Sequence, residues 1–385
     1  MRHRTRRPTL PGPSHDPRRL PSALRLPSAF RLPSLALLPA LLFAACGGET
    51  APESPSTDAP ALADDEVPRA QRMEVALRVL AGDEMEGRAA GTPGEIRARD
   101  WLVSELERLG VQPAGEQGYL QPVPLVRTTD EQGRERLRSP AVGTNLDSIP
   151  ADQRVDAWNV LGIVPGSDPA LAHEVIIVGS HYDHVGMGRA VDGDSIYNGA
   201  DDDASGTVAA LEIARDLVKE RPGRSVLIAL FSAEEIGLLG PRWFLRQPTV
   251  ARDSIVADLQ IEMIGRPDSL AGGPGQGWLT GYERSTMGEA LAAAGSPIVP
   301  DPRPEQRFFF RSDNLPFAQA GIPAHTLSSY NMHTDYHQPS DEVDAMDFEH
   351  MAALTEAAIA MVRDLAQGER PAWLPGGQPE APRGN

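Results

Sequence analysis

The sequence predicts an α/β fold with a parallel sheet at its centre, and three observations carry that expectation. Short apolar runs at Val175–Val178, Ser225–Phe231 and Ile255–Ile261 have the length and β-branched content of strands buried on both faces. Between and after them apolar residues recur at helical spacing, as at Val208, Leu211, Ala214 and Val218. Each run is followed closely by acids or histidines, and ligands of α/β sheets sit beyond the carboxyl ends of strands.

In chain order, residues 1–45 read as a signal peptide. An Arg-rich start leads to the apolar run Leu35–Phe43, which is too short to span a bilayer and is followed by small residues. Ala44-Ala45-Cys46-Gly47 resembles the lipobox of bacterial lipoproteins, with Phe43 where that pattern usually has Leu. The resemblance implies cleavage before Cys46, lipidation of Cys46, and an exported protein anchored in a membrane by lipid rather than by a transmembrane helix; plain secretion is the alternative. Residues 46–66, with Pro52, Pro55 and Pro60 among several acids, read as a flexible tether.

The folded part is expected over 67–367. A helix is expected from Pro68 to Leu80, then a turn-rich loop from Glu86 to Gly94, then a helix through Leu102, Leu106 and Leu109 that Gly110 can terminate. Residues 122–150 show little periodicity and suit edge strands. Asn159–Val164, followed by Pro165-Gly166, is a strand and turn. The run from Val175 leads to His181, Asp183 and His184, then to a glycine-punctuated loop with Asp201, Asp202 and Asp203, and Ser205-Gly206 opens a helix that Arg221-Pro222-Gly223 ends. The strand to Phe231 leads to Glu234-Glu235, the strand to Ile261 leads to Glu262, and a later loop runs from His333 to Asp341. A last helix from about Asp347 to Leu365 packs through Met351, Leu354, Ile359 and Val362. Residues 368–385, rich in Pro and Gly, are expected to be disordered.

Charge narrows the partners. The formal net charge is -18, and because residues 1–45 hold eight Arg and one Asp, the remainder carries 28 basic against 53 acidic residues, a balance of -25. That excess argues against nucleic acid and reads as a solvated acidic surface, with attraction of basic substrates as a lesser consequence. Cys46 is the single cysteine, so neither an intrachain disulfide nor a cysteine-ligated metal site can form.

A parallel sheet would gather His181 with Asp183, Glu234-Glu235 and Glu262 at one rim, where loops add Asp202 and His337. Histidine and carboxylate donors without sulfur suit zinc or another borderline divalent ion. These donors exceed the needs of one zinc, and two ions sharing a bridging carboxylate is the economical arrangement. The adjacent acids Glu234 and Glu235 need different roles, one neutralised by metal and the other left to move a proton. His173, His325 and His350 read as structural or surface residues, His184 and His333 as candidates for a substrate or supporting role, and Asp201 and Asp203 as turn acids or site residues. Ser205 reads as a helix cap, with no Gly-x-Ser-x-Gly elbow around it.

Taken together and in order, SHYDHVG, NGADDDASG, FSAEEIGLLG, QIEMIGRPD and DYHQPSDE resemble the co-catalytic zinc aminopeptidase family, which also includes glutamate carboxypeptidases and glutaminyl cyclases. EGRAAGTPGE and SDNLPF are similar to that family too, and the resemblance covers roughly 67–365. It implies a three-layer α/β/α sandwich around a mixed, mostly parallel sheet, with two zinc ions at the strand ends. His181 and Glu262 would bind one zinc, Glu235 and His337 the other, and Asp202 would bridge them. Asp183 would hold the His181 imidazole in its metal-binding tautomer, Glu234 would be the general base, and Tyr336 would donate to the developing oxyanion. A non-proline cis peptide is implied at Asp202-Asp203. Glu262 departs from the family's usual Asp by one methylene. The implied activity is removal of amino-terminal residues from peptides; the alternatives are a carboxypeptidase on acidic dipeptides, a glutaminyl cyclase, and a catalytically silent, lipid-anchored peptide-binding protein.

Overall fold

The computed structural model describes residues 66–380. The signal peptide expected over 1–45, the lipid-bearing Cys46 and nearly all of the tether lie outside the described residues. The strands are β1 (Gln112–Pro113), β2 (Leu120–Thr129), β3 (Glu135–Arg138), β4 (Arg154–Val164), β5 (Val175–His181), β6 (Gly186–Val191), β7 (Asp194–Tyr197), β8 (Ser225–Phe231), β9 (Ile255–Ile261), β10 (Gly277–Leu279), β11 (Ile298–Pro300) and β12 (Ala324–Ser328). The α-helices are α1 (Arg69–Leu80), α2 (Pro93–Leu109), α3 (Gly206–Lys219), α4 (Leu239–Arg246), α5 (Thr286–Ala294), α6 (Asn314–Gln319) and α7 (Phe348–Gln367).

All strands but β6 and β7 form one sheet, ordered β11-β10-β12-β9-β5-β8-β4-β2-β3, with β1 on β4. The centre, β12-β9-β5-β8, is parallel throughout. Antiparallel strands flank it, β4, β2 and β3 on one side and β10 on the other. The sheet is therefore mixed, with its parallel part where the pure apolar runs placed it.

Those runs are buried because each strand feeds two cores. In β5, Ile176 and Val178 pack with Val226, Ile228 and Leu230 of β8 under the layer of α1, α2, α3 and α7. The alternate residues Val175, Ile177, Leu227, Ala229 and Phe231 pack on the opposite face with Phe244 of α4 and Phe317 of α6. A period of two with apolar side chains in both phases is what a central strand requires. Among the local signals, Thr92 accepts the Glu95 N–H at the start of α2, and Gly110 ends that helix at φ 78.

Two expectations are corrected. The segment between His184 and Asp201, expected as a glycine-punctuated loop, contains a hairpin in which β6 and β7 pair. Of the carboxyl-terminal segment expected to be disordered, residues 368–380 are described and packed. Trp373 bridges Ser285, donates Nε1–H to Gly321 O at 3.0 Å and lies among Phe309 and His325, and Arg370 donates to Glu174. A high Pro and Gly content forbids regular structure but leaves an aromatic ring and a few backbone groups free to dock.

Candidate metal centre

The rim is level because the strands are in register. His181, the last residue of β5, pairs with Phe231, the last of β8, and Gly179 pairs with Gln260 near the end of β9. Ser232–Glu235 and Glu262 therefore leave the sheet beside His181. Asp202 arrives on the turn before α3, with a cis Asp202-Asp203 peptide, and His337 on the loop after β12. Ala233, Met263 and His337, all at the site, have φ of 61, 52 and 54, a left-handed conformation uncommon outside glycine.

Hydrogen bonds lock these loops together. Arg88, wholly buried, donates to the carbonyls of Leu80, Tyr182, Asn198 and Gly199. Asp341 accepts from the backbone N–H of Asp201 and Asp202 and from Arg266. Asp203 accepts from Gly206 and Met263, and Asp201 from Gly265 and His333, so both neighbours of Asp202 are structural acceptors tying its turn to the end of β9. Buried Glu95 accepts from Trp158, Tyr182 and Ser232, fixing the start of α2 to β4 and to the residues that follow β5 and β8.

Four side chains converge. His184, Asp202, Glu235 and His337 each offer a ligand atom within 4.8 Å of the others. His337 Nε2 stands 3.1 Å from Asp202 Oδ2 and 3.1 Å from Glu235 Oε2. Asp202 Oδ2, Glu235 Oε1 and His337 Nε2 are buried without a hydrogen-bond partner. Polar atoms left so are costly unless something else satisfies them, and a donor set of imidazoles and carboxylates fits zinc. Of the sequence-predicted residues, Asp202, Glu235 and His337 are brought together. His181 Nε2 faces Asp202 Oδ1 at 3.4 Å, while Glu262 lines the cavity with Ser312, and among the described residues no second converging group of three includes them.

Asp183 is placed differently from expectation. His181 Nδ1 lies 3.1 Å from the main-chain carbonyl of Asp183 and 3.8 Å from its carboxylate. The carboxylate instead accepts the backbone N–H of Glu234 at 3.1 Å. With Nδ1 against that carbonyl, Nε2 faces Asp202, and the Asp183 carboxylate positions Glu234.

The electrostatics of the cluster suit a cation. Burial raises Glu234 well above the usual carboxylate range and pushes Glu262 to about 6 and Asp183 to about 7. Burial alone would depress His181 and His337, yet the carboxylates override it, raising His181 well above its ordinary value and His337 to about 10. Against the effect of burial, contacts with His181 and His337 hold Asp202 well below its usual value. Carboxylates that force imidazoles to take up protons are arranged for a divalent cation, which replaces those protons when it binds.

Glu234, Glu262, Asp202 and Tyr336 line a cavity of about 50 Å³. Its aromatic wall, Trp278, Phe308, Tyr330 and Tyr336, is a run of ring contacts, with Trp278 and Phe308 stacked at 5.2 Å and Tyr330 and Tyr336 tilted at 5.6 Å. Sequence reasoning missed this wall, Arg88 and the convergence of His184; the second histidine in SHYDHVG was the available signal for the last. His325 and His350 prove structural, bonded to Ser285 and Ser329.

Comparison with known proteins agrees with this geometry. A probable zinc metalloprotease of Leptosphaeria maculans is 26% identical over 326 residues, covering 72% of this chain and 69% of the relative. An aminopeptidase of Pseudomonas aeruginosa is 27% identical over 239 residues, 61% of this chain and 42% of that protein. The solved aminopeptidase from Aneurinibacillus sp. strain AM-1 shares the fold, with TM-score 0.56, 17% identity, and coverage of 82% of this chain and 98% of that one. The family description "Peptidase family M28" matches residues 159–362, more than half of the sequence. Because that span holds every strand end and loop that meets in the cluster, the chain belongs to peptidase family M28.

Proposed function

We propose that the chain is an exported, zinc-dependent aminopeptidase. The observation that carries this reading is the convergence of Asp202, Glu235 and His337 on one point beside the cavity that Glu234 and Tyr336 line. In this reading Asp202, Glu235 and His337 would hold one zinc, and His181 and Glu262, with Asp202, would hold a second. Bound zinc supplies a water of lowered pKa and polarises the substrate carbonyl.

Glu234 accepts the proton of the attacking water and returns it to the leaving amine. Its raised carboxyl is suited to holding a proton between those events, and Asp183 fixes its backbone. Tyr336, kept protonated by burial and the carboxylates around it, donates to the developing oxyanion. The acidic side of the cavity receives the α-ammonium of the substrate, and the aromatic wall receives an apolar side chain. The Pseudomonas aeruginosa relative's name supports the amino-terminal direction. Export with a lipid anchor at Cys46 rests on the leader and the lipobox-like run before it.

A second reading, a glutaminyl cyclase with one zinc, draws on the single converging group among the described residues. Mass spectrometry of a mixed peptide set incubated with the zinc-loaded protein separates the readings. Stepwise amino-terminal loss that N-acetylation blocks, and that Glu234→Gln slows by about 10²–10⁴ while zinc stays bound, is the expected result. Loss of ammonia from amino-terminal Gln assigns a cyclase, carboxyl-terminal trimming a carboxypeptidase, and intact peptides with zinc bound a silent binding protein.

A further inference from the structure

His184 is the member of the cluster to which the proposed chemistry assigns no role, and its setting is specific. Its side chain is fully buried, with Nδ1 2.8 Å from Glu235 Oε1 and 3.9 Å from Asp202 Oδ2. Neither ring nitrogen makes a hydrogen bond, so the close approach to Glu235 lacks an N–H in line with its acceptor. Around a tetrahedral zinc with bonds of about 2.0–2.1 Å, neighbouring ligand atoms stand roughly 3.3 Å apart. The separations from His184 and His337, between 2.8 and 3.9 Å, bracket that value.

The backbone makes room for this ring. Gly199, at φ 58, faces it so closely that a Cβ there would fall 2.5 Å from His184 Cγ and Cδ2. The backbone N–H of His184 donates to Arg88 O at 3.4 Å, and Arg88 in turn holds the carbonyl of Gly199. The two segments that carry His184 and Asp202 are thus clamped together from behind.

We propose that His184 is a fourth protein ligand of the metal held by Asp202, Glu235 and His337. The inference rests on the zinc reading above. Two imidazoles and two carboxylates would give this ion four protein donors, which leaves the open position for water to the second site, where the donors of His181, Asp202 and Glu262 lie further apart. The site with His184 therefore fills first and holds its ion more tightly.

The test uses the full chain, stripped of metal and titrated with zinc against a chromophoric chelator. X-ray absorption is then measured on protein carrying one equivalent. Two imidazoles per zinc are expected in the unmodified protein. In His184→Ala and the bulkier His184→Gln the count falls to one, and the first zinc is held more than ~100-fold more weakly, beyond the loss expected for a supporting residue that does not touch the metal. One imidazole per zinc in the unmodified protein overturns the proposal without needing either variant, and so does an unchanged count in a variant that remains folded. If the unmodified protein takes up no zinc, the metallopeptidase reading fails as well, which separates the two failures.

Discussion

Arg88→Met tests how the site is held together. The guanidinium donates Nε–H to Tyr182 O at 2.7 Å, Nη1 to Leu80 O and Asn198 O at 2.9 and 2.6 Å, and Nη2 to Gly199 O at 2.9 Å. Burial lowers its pKa to about 10, which still leaves it charged at neutral pH. Methionine keeps much of the stem and removes every donor, so four buried carbonyls lose their partners. An unsatisfied buried group costs about 1–3 kcal/mol; taking the low end, because water can enter a vacated polar site, gives about 4 kcal/mol. At ~2–4 °C per kcal/mol for domains somewhat smaller than this one, the melting temperature should fall by roughly 10 °C. Zinc affinity should fall with it, since Tyr182 and Gly199 adjoin the segments of His181, His184 and Asp202. Arg88→Lys should recover only part, because an ammonium has three donors and no planar fork. The assay is a thermal melt of metal-free protein by near-ultraviolet circular dichroism, followed by zinc titration. A melt within about 2 °C of the unmodified protein, with unchanged zinc affinity, would refute the reasoning.

Two further outcomes follow from the geometry. In metal-free protein His337 titrates at about 10, because Asp202 and Glu235 outweigh the effect of burial. Its folded pKa exceeds the ordinary histidine value of about 6.5, so its contribution to stability is complete below pH ~6.5 and is lost as pH rises through about 10. Zinc uptake at pH 8 should accordingly displace protons, seen as a dependence of titration heat on buffer ionisation enthalpy; no such dependence would count against His337 as a ligand. Truncation after Gly368 removes six hydrogen bonds to the rest of the fold: two between Ala372 and Thr286, and those of Leu374 to Arg284, Trp373 to Gly321, Arg284 to Gly377 and Arg370 to Glu174. Setting aside the exposed Arg370 pair, the other five at about 1 kcal/mol each should cost roughly 5 kcal/mol by urea denaturation, and an unchanged midpoint would show that the segment adds nothing.

How far the sequence could be read depended on whether the signal was local. β8 and β9 run over the residues their apolar stretches marked, because a strand buried on both faces must be apolar in both phases. The end of α2 was legible in Gly110, and Asp202, Glu235 and His337 in their motifs. The short strands β10 and β11 and the aromatic wall were not, since three residues establish no period and Trp278, Phe308 and Tyr330 meet only in the fold. Asp183 misled for a related reason. Its type and spacing fit a carboxylate behind a histidine, but the main-chain carbonyl of the same residue lies nearer to the ring. Sequence names the residue and leaves open which of its oxygens the fold will use.

Ala233 offers a caution for protein engineering. It sits in left-handed backbone at φ 61, immediately before Glu234, where an L-residue pays about 1–2 kcal/mol that glycine does not. A search for heat-resistant variants would find Ala233→Gly attractive on local grounds. Glycine would also widen the range of directions in which the next carboxylate can be aimed. Screening by melting temperature alone would thus select for a loosened hinge at the one peptide unit that orients Glu234, and turnover has to be scored alongside it.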